Sequence, residues 1–306
     1  MLESGSVEIQ ERVCPVCGSK QYTLIAPEKI DRNLISQLSY SSRKIPEFMH
    51  LKLVLCSVCG LIYTPEPTSL EELKRLYTDS SFETSNEELC AAKTYFKLIK
   101  PYLKKINKSD TVLDVGAGSG SFLYLFRNFG FCNLVGIEPS IQSINDAHPD
   151  VINHIRQGIF NASIVKDIKP SIILSCMTLE HMYDPKEFLT ESHKIIASDG
   201  LLFLVAHNHR AVINRILGLK SPIIDLEHMQ IFSKKSLKFL LKTTGYSNIN
   251  IFSYFNTYPL RYWIKLLPLP LKLRASINNL IKSNFIGKIP LTFPLGNIVA
   301  IATPVK

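Results

Sequence analysis

The sequence predicts an α/β fold in which helices cover both faces of a doubly wound, mostly parallel sheet, preceded by a small cysteine-rich module. Three observations support this prediction. Short apolar strands alternate with helical patterns between residues 111 and 206, as they do in parallel sheets. A glycine-rich turn follows the first of these strands, and an acidic residue ends the second. Two Cys-x-x-Cys pairs lie near the N-terminus.

The first strand and its turn read TVLDVGAGSGSF over residues 111–122. An apolar run ending at Asp114 meets the turn Gly116-Ala117-Gly118-Ser119-Gly120, and an apolar helix pattern follows. Glycines let the backbone approach a ligand, and the first amides of the helix face it. A second strand ends in Glu138, about 20 residues further on, where ribose hydroxyls bind in such crevices. These features predict a nucleotide-cofactor crevice, with an ordinary βα turn as the alternative.

Two details bear on which cofactor binds. Dinucleotide enzymes have GxGxxG, whereas the third glycine here comes one residue early. Asp114 would repel a phosphate but suits a cofactor with an amine and a sulfonium. Together with VGIEPS, Leu179-Glu180-His181, Asp184-Pro185 and SDGLL, these residues resemble the motifs of class I S-adenosylmethionine-dependent methyltransferases. The resemblance runs from about residue 105 to the C-terminus.

The resemblance implies a Rossmann-like, seven-stranded methyltransferase sheet within residues 109–306 and S-adenosylmethionine as the cofactor. It also implies a set of cofactor-binding residues, of which the last lies where the family contacts adenine: Asp114, Gly116, Ala117, Gly118, Gly120, Glu138 and Gln157.

The remaining strands of this sheet are read from apolar runs. Val151-Ile152 is the expected third strand, and residues 171–175 and 200–206 are the fourth and fifth. Residues 236–244 form a helix that Gly245 stops, and residues 249–252 and 297–302 are the last two strands, which pair antiparallel in the family. Ligands of such sheets bind beyond the carboxyl ends of the strands, so the glycine turn, Glu138, residues 177–181 and residues 207–208 should surround one crevice.

Methyl transfer requires alignment of the acceptor, the methyl group and the sulfur. A hydroxyl acceptor also needs a base for its proton. His181, directly after the fourth strand, is the expected catalytic base, because histidine titrates in the right range. Tyr183, His207 and His228 are the other candidates, and a loop histidine bonded to the backbone is the structural alternative. Related quinone O-methyltransferases carry a metal-holding ExxEH here, but Met177 replaces the first acid, which argues against a catalytic metal.

Four of the seven cysteines form the pairs Cys14/Cys17 and Cys56/Cys59, each followed by glycine. Two such knuckles complete a closed, tetrahedral zinc site with no position left for catalysis. Residues 1–67 are therefore read as a zinc ribbon with structural zinc, and a redox pair is the alternative for one CxxC. This ribbon resembles the N-terminus of bacterial small-molecule and sugar methyltransferases, although similar ribbons occur on rRNA methyltransferases.

Residues 68–108 are expected to form a helical connector between the ribbon and the main fold. Leu70, Leu73, Leu76 and Tyr77 recur at helical spacing, and a second helix is expected at about residues 87–105. In the family this region covers the cofactor, so Tyr77 or Phe82 is a candidate cover for its methionine part. Simple interdomain packing is the alternative.

The C-terminal quarter is basic. No Asp or Glu follows Glu227, whereas eleven Lys and Arg residues do, and the formal net charge of +9 therefore resides here. Residues 256–294 form a basic, amphipathic insertion that contains Tyr262 and Trp263. We consider three interpretations: a lid, a segment on an anionic membrane surface, and a surface that attracts a phosphorylated acceptor or RNA.

The length of 306 residues allows a full core and one further small module. The first residues, MLESGSVEIQER, do not resemble a signal peptide, so a cytoplasmic protein without structural disulfides is expected, peripheral at a membrane if the insertion binds lipid.

The leading hypothesis is methyl transfer to a small-molecule acceptor, a sugar or a nucleotide- or lipid-linked sugar of glycan or secondary metabolism. An rRNA or tRNA methyltransferase is the alternative, but the basic residues alternate with Leu, Ile and Pro, which disfavours nucleic acid. The intact glycine turn argues against a non-enzymatic scaffold.

Overall fold

The computed structural model describes residues 11–31, 33, 35, 37–40, 48–80, 85–267, 285–294 and 296–305. The strands are β1 (Tyr22–Ala26), β2 (Leu53–Cys56), β3 (Ile62–Tyr63), β4 (Val112–Val115), β5 (Leu134–Glu138), β6 (Ile155–Gln157), β7 (Ile172–Cys176), β8 (Leu201–His207), β9 (Gln230–Ile231), β10 (Tyr246–Ser253), β11 (Asn256–Pro259), β12 (Pro290–Phe293) and β13 (Asn297–Pro304). The helices are α1 (Leu70–Thr78), α2 (Ser85–Ile99), α3 (Ser121–Asn128), α4 (Ile141–Asn145), α5 (Pro149–Ile152), α6 (Pro185–Ile195), α7 (Val212–Leu217), α8 (Lys234–Thr243) and α9 (Leu260–Leu266). Short 3-10 helices cover Gln37–Tyr40, Lys100–Lys105, Gly218–Lys220 and Phe285–Lys288.

The main sheet has seven strands in the order β10-β13-β8-β7-β4-β5-β6. The neighbours from β8 to β6 pair parallel, while β13 pairs antiparallel with both β8 and β10. This arrangement confirms the predicted doubly wound sheet and its antiparallel last pair. The chain leaves β4 towards β5 on one side and later returns to β7 on the other, so the strand order reverses at β4. Ligands of open α/β sheets bind at such a reversal.

The expected third strand is displaced. Val151 and Ile152 lie in α5, and the strand follows at Ile155–Gln157. Pro149 occupies the first turn of α5, and the His148 side chain accepts a hydrogen bond from the Asp150 amide at 3.2 Å. Proline at that position and a side-chain cap both favour a helix start, and these local signals outweigh the β preference of two branched residues.

The cysteine-rich region forms a second sheet, in the order β1-β2-β3-β9. Two of its strands, β2 and β3, lie on either side of the second cysteine pair. The fourth strand, β9, comes from the far part of the chain, with Ile62 opposite Ile231 and Tyr63 opposite Gln230. The ribbon sheet is therefore completed by residues that follow β8 of the main sheet.

The core lies on both faces of the main sheet. On one face, α2 and α3 contribute Ile99 and Phe126, both fully buried. On the other, Leu237 and Leu240 of α8 join Leu61 of the ribbon in one continuous cluster. Burying each such side chain stabilises the fold by about 1.5–3 kcal/mol. The ribbon thus shares a core with the main sheet.

The insertion forms the β11–β12 hairpin and α9. Its residues 268–284 lie outside the described part of the chain, together with the expected cover residue Phe82. None of the helices in the described residues is long and apolar enough to cross a membrane.

Candidate active site

Asp114 lies at the carboxyl end of β4, where the strand order reverses. Its side chain is buried, and its Oδ1 atom has no hydrogen-bond partner among the described residues. Burial raises the pKa of Asp114 well above its usual range, and the negative charges of Glu88 and Glu138 raise it further. A buried carboxylate oxygen without a donor is costly. The position therefore suits a ligand that brings a positive charge or a hydrogen-bond donor, as the predicted amine- and sulfonium-bearing cofactor does.

The glycine turn keeps the space beside Asp114 open. Gly116 and Gly118 have φ values of 78° and 56°, a region that residues with a side chain rarely adopt. A Cβ atom at Gly116 would collide with Thr178, and one at Gly118 would lie 3.0 Å from the Glu88 carboxylate. Both glycines are needed by the backbone conformation and by the space in front of them.

Two carboxylates hold the amides of this turn. Glu138 Oε2 accepts a hydrogen bond from the Gly118 amide at 2.8 Å, and its Oε1 accepts one from the Ser140 amide at 2.9 Å. Glu88, from α2, accepts a bond from the Ser119 amide at 3.2 Å. Burial raises the pKa of Glu138 to about 7, although its two amide bonds act in the opposite direction. Three acidic side chains thus surround the turn.

Two of the predicted cofactor-binding residues, Gly120 and Gln157, do not line the cavity. Gly120 is packed against α5, because a Cβ atom there would lie 2.9 Å from Val151. Gln157 ends β6 opposite Glu138, with its side chain exposed. The residues that follow it, 158–162, line the wall of the cavity instead. Sequence position alone could not separate the strand-end residue from the loop that forms the wall.

A cluster of polar side chains lies on the other side of the crevice. His181 Nδ1 lies 3.2 Å from the Tyr77 hydroxyl and 3.6 Å from Glu227 Oε2. The ring centroids of His181 and His228 are 4.8 Å apart. The His181 side chain keeps 20% of its surface exposed, whereas Glu227 keeps 10%. The structure therefore joins the predicted base to a tyrosine, a carboxylate and a second imidazole.

Hydrogen bonds orient the other two imidazoles. His228 Nδ1 lies 2.9 Å from the Ile223 carbonyl oxygen, which can only accept, so Nδ1 carries a proton. His207 Nδ1 lies 2.9 Å from Asn297 Oδ1, and the rings of His207 and His228 are 5.1 Å apart. Burial lowers the pKa of His207 to about 4. His207 therefore stays neutral at physiological pH and is a weaker base than an ordinary histidine.

The loop that carries His181 is tied to the next strand by Glu180. This side chain is fully buried and accepts a hydrogen bond from the His207 amide. Its backbone carbonyl accepts a bond from the Met229 amide at 2.9 Å. Burial raises the pKa of Glu180 to about 7. Glu180 thus connects the loop after β7, the end of β8 and the segment that carries Glu227 and His228.

Gln230 and Arg12 hold the same loop from the ribbon side. Gln230 Nε2 donates to the Leu179 carbonyl at 2.6 Å and to the Met182 carbonyl at 2.7 Å. Arg12 donates to the Tyr183 carbonyl at 3.0 Å and to Gln230 Oε1 at 3.1 Å. A residue of the N-terminal module therefore holds the backbone on which His181 lies.

The four cysteines of the ribbon converge. Cys14 Sγ lies 3.6 Å from Cys59 Sγ, and Cys17 Sγ lies 3.4 Å from Cys56 Sγ. All four sulfur atoms are within 4.8 Å of one another. Zn–S bonds of about 2.3 Å in a tetrahedron give sulfur separations of roughly 3.8 Å. The donor set and its spacing fit a tetrahedral thiolate site.

The insertion closes one side of the crevice. Tyr258 and Tyr262 line the same cavity as the histidines. The Trp263 indole donates to the Tyr258 carbonyl at 3.0 Å, which holds this ring within the insertion. Arg261 lies 3.4 Å from Glu87 of α2. These contacts favour the interpretation of this part of the insertion as a lid.

The crevice is one cavity of about 730 Å³. It joins the two groups of residues, since Asp114 and Glu138 line one part and His181 and His228 line another. Such a volume is typical of small-molecule sites, and it brings the predicted base and the predicted cofactor-binding residues to one space.

Glu88, Glu227, Arg12 and Gln230 were not predicted from the sequence. Glu88 looks like an ordinary acid in the first turn of a helix. Glu227 follows the fifth strand by about 20 residues, and nothing local indicates that the chain returns to the crevice there, although the adjacent His228 is one of the predicted candidate bases. The signal that could have found Glu227 and Gln230 is the composition of DLEHMQIF, which combines two acids and a histidine before an apolar run.

A family model described as a methyltransferase domain matches residues 87–251. No curated protein matches the chain at a significant level.

Several solved structures resemble this fold. One, assigned as a methyltransferase of an antibiotic biosynthesis pathway from Anabaena variabilis, is 16% identical, with a TM-score of 0.50 over 72% of this chain and 100% of that chain. A SAM-dependent methyltransferase from Archaeoglobus fulgidus is 19% identical, with a TM-score of 0.48 over 77% and 100%. Phosphoethanolamine N-methyltransferase 2 of Haemonchus contortus, in complex with S-adenosyl-L-methionine, is 10% identical, with a TM-score of 0.47 over 80% and 62%. At these identities the likeness concerns the fold.

Proposed function

Because this chain belongs to the methyltransferase domain family and is an S-adenosylmethionine-dependent methyltransferase, we propose that it methylates a small-molecule acceptor bound beside His181. The observation that carries the proposal is the single cavity that Asp114 and Glu138 share with His181 and His228. Methyl transfer needs the cofactor and the acceptor side by side, and this cavity has a distinct set of side chains for each.

We assign the cofactor to the side of the cavity that Asp114, Glu138 and the glycine turn form. S-adenosylmethionine supplies an electrophilic methyl group there when bound. Glu138 would accept hydrogen bonds from the ribose hydroxyls, and the buried Asp114 carboxylate would stabilise the positive charge. Tyr77, which lines the cavity and contacts His181, would help to exclude water from the reacting groups.

On the acceptor side, His181 is our candidate for the base that takes the proton of a hydroxyl. In the tautomer that acts as the base, Nδ1 carries a proton and faces Tyr77 and Glu227, and Nε2 takes the proton of the acceptor. The Glu227 carboxylate stabilises the imidazolium that forms, as a carboxylate does for a catalytic histidine elsewhere. The reaction thus ends with the proton on an imidazole that is already paired with an acid.

The charges of the cavity support an acceptor whose reacting part is uncharged. Among the described residues that line the cavity, Lys74 is the one Lys or Arg side chain. Acids are more numerous: Glu88, Asp114, Glu138, Asp184, Glu187, Glu191, Asp225 and Glu227. A polyanion such as rRNA or tRNA would be repelled by these walls, whereas a sugar ring would not. We therefore favour a sugar, with any phosphate of a nucleotide- or lipid-linked form outside these walls.

We also propose that Cys14, Cys17, Cys56 and Cys59 hold one structural zinc ion. The convergence of four thiols supports it, and a site with four protein ligands keeps no position for substrate.

The acceptor class is tested by transferring radiolabelled methyl groups from S-adenosylmethionine to three fractions of cell extract: small molecules, lipid-linked glycans and bulk RNA. We expect label in the small-molecule or the lipid-linked glycan fraction. Incorporation into RNA alone would contradict the proposal. A variant with His181 replaced distinguishes enzymatic label from background.

Cofactor affinity should rise with pH. Burial holds the Glu138 pKa near 7, so this side chain is largely protonated at pH 6 and ionised at pH 8. A cationic cofactor binds the ionised form better, so raising the pH from 6 to 8 should strengthen binding. Losing a charge-assisted bond costs about 1.5–3 kcal/mol, so Glu138→Ala should weaken binding at pH 8 by about ten- to a hundredfold. Isothermal titration calorimetry measures both effects.

Glu138→Gln is the matched variant for the charge, because it keeps the shape of the side chain. Its cofactor affinity should depend on pH less than that of the unaltered protein. Unchanged affinity in Glu138→Ala, with an unchanged unfolding temperature, would remove the ribose assignment.

A further inference from the structure

Helix α7 has an unusual distribution of side chains: a polar one is buried in the protein, and aliphatic ones face the solvent. Asn214 is buried, donates to the Asn208 carbonyl at 2.9 Å and accepts from the Ser221 hydroxyl at 2.9 Å. Val212 and Ile216 are 72% and 74% exposed. Surface helices of globular proteins normally show the opposite pattern. We therefore expect the aliphatic face of α7 to contact a binding partner.

This aliphatic face borders a second cavity, of about 810 Å³, between the ribbon and the main sheet. Val212, Ile213 and Ile216 line it together with Leu55 of β2 and Pro294. Residues near the lining residues in sequence are also apolar and exposed: Leu219 after α7 is 44% exposed, and Phe255 and Phe293, next to Tyr254 and Pro294, are 62% and 48% exposed. We call this surface the α7 groove. An exposed apolar patch of this kind marks an interaction surface.

The charge around the α7 groove is uniformly positive. Arg210, Lys234 and Lys235 line it, and no acidic residue is among the described residues that do. Arg215 on the helix and Lys220, three residues after its end, are also exposed. The whole C-terminal quarter lacks acids after Glu227. The partner should therefore combine an apolar interior with a negative surface.

We propose that the α7 groove docks on an anionic lipid bilayer, with the aliphatic side chains of α7 among the acyl chains and the surrounding cations at the headgroups. Interfacial membrane-binding surfaces have this composition. A second copy of the chain is a poorer partner, because a two-fold contact would bring the same cations together. A protein partner is disfavoured by the lysines around the groove, since protein interfaces are depleted in Lys.

The position of α7 links this surface to the active site. Asn214 lines the acceptor cavity, while its neighbours on the same helix line the α7 groove. Gly296 holds the helix close, because a Cβ atom there would lie 2.7 Å from Asn214 Nδ2. The helix is thus the wall between the two spaces. Docking would bring the acceptor cavity next to the bilayer, a consequence that rests on the proposed function, whereas the docking itself does not.

The test is co-sedimentation of the full-length protein with vesicles of phosphatidylcholine alone or with one part in three of phosphatidylglycerol. We expect binding to the anionic vesicles that weakens with salt. Val212→Glu and Ile216→Glu should each lower the partition coefficient at least about tenfold, because each replaces an aliphatic side chain that would enter the bilayer with a charge of the wrong sign. Arg210→Gln combined with Lys234→Gln should lower it severalfold on anionic vesicles.

Leu24→Glu is the matched control, because Leu24 is 55% exposed on β1 and outside the groove. It should bind as the unaltered protein does. Calorimetric cofactor binding, expected to be unchanged in every variant, shows that the variants are folded and keeps this test independent of methyl transfer.

Three outcomes would overturn the proposal. The first is absence of the unaltered protein from the pellet of anionic vesicles. The second is Ile216→Glu binding normally while the emission of Trp263, the only tryptophan, shifts to the blue, since docking would then lie on the insertion. The third is a lipid-free dimer that Ile216→Glu dissociates in sedimentation velocity, since a second copy would then occupy the groove.

Discussion

Replacing His181 with alanine is expected to lower turnover by about 10²–10⁴-fold, the usual contribution of a general base. His181 lies in the cavity with its Nδ1 3.2 Å from Tyr77 and 3.6 Å from Glu227, and these contacts orient the ring towards the acceptor side. The expectation holds for a hydroxyl acceptor, whose proton must leave. Cofactor affinity should stay the same, because the cofactor residues lie in the other part of the cavity. Single-turnover kinetics and calorimetry measure the two quantities.

His154 provides the control, because it is a partly exposed histidine whose ring contacts Arg127 outside the cavity. His154→Ala should keep full turnover. Tyr77→Phe should have a smaller effect than His181→Ala and should shift the pH–rate profile, since it removes one partner of the imidazole. Normal turnover in His181→Ala together with a large loss in His228→Ala would move the base to His228.

Cys56→Ser is expected to lose zinc and to unfold the ribbon. Structural zinc sites of this type contribute about 10–16 kcal/mol of apparent binding free energy at pH 7, which is also folding free energy. We expect one zinc per chain in the unaltered protein by elemental analysis. The variant should contain less than one, unfold at a lower temperature and lose most of its turnover, because Arg12 and β9 connect the ribbon to the loops of His181 and His228.

Cys132→Ser is the control for this experiment, since Cys132 is exposed and lies outside the four-cysteine cluster. It should retain metal and activity. Protein free of zinc, or a Cys56→Ser protein with full metal content, would contradict the zinc assignment.

The parts of the fold that could be predicted are those with local signals. Alternating strands and helices, the glycine turn and the acid at Glu138 each depend on residues close together in sequence, and the structure confirms the sheet that they predict. The prediction of a strand at Val151 was wrong, because His148 and Pro149 start a helix there. The residues that start a helix are few, and their stabilising effect is similar in size to the strand preference of β-branched residues.

The acceptor side was harder, because its residues come together only through the topology. His181 could be predicted from its place after a strand. His228 could be named as a further candidate base, but its place beside His181, like that of Glu227, depends on β9. This two-residue strand pairs with the ribbon and has no periodicity of its own. Glu88 reaches the glycine turn from a helix more than 30 residues earlier. Contacts of this kind follow from packing, which a pattern of residue types does not encode.

The pairing of β3 with β9 also affects how the chain acquires its structure during synthesis. Ile62 leaves the ribosome roughly 170 residues before Ile231, its partner, a delay of roughly ten to thirty seconds at ordinary rates of translation. Throughout that interval the cysteine knuckles can already close, but the edge of β3 has no strand beside it. Unpaired edges are the sites at which nascent chains join one another. The ribbon therefore begins first and finishes late, and its completion must wait for most of the methyltransferase sheet.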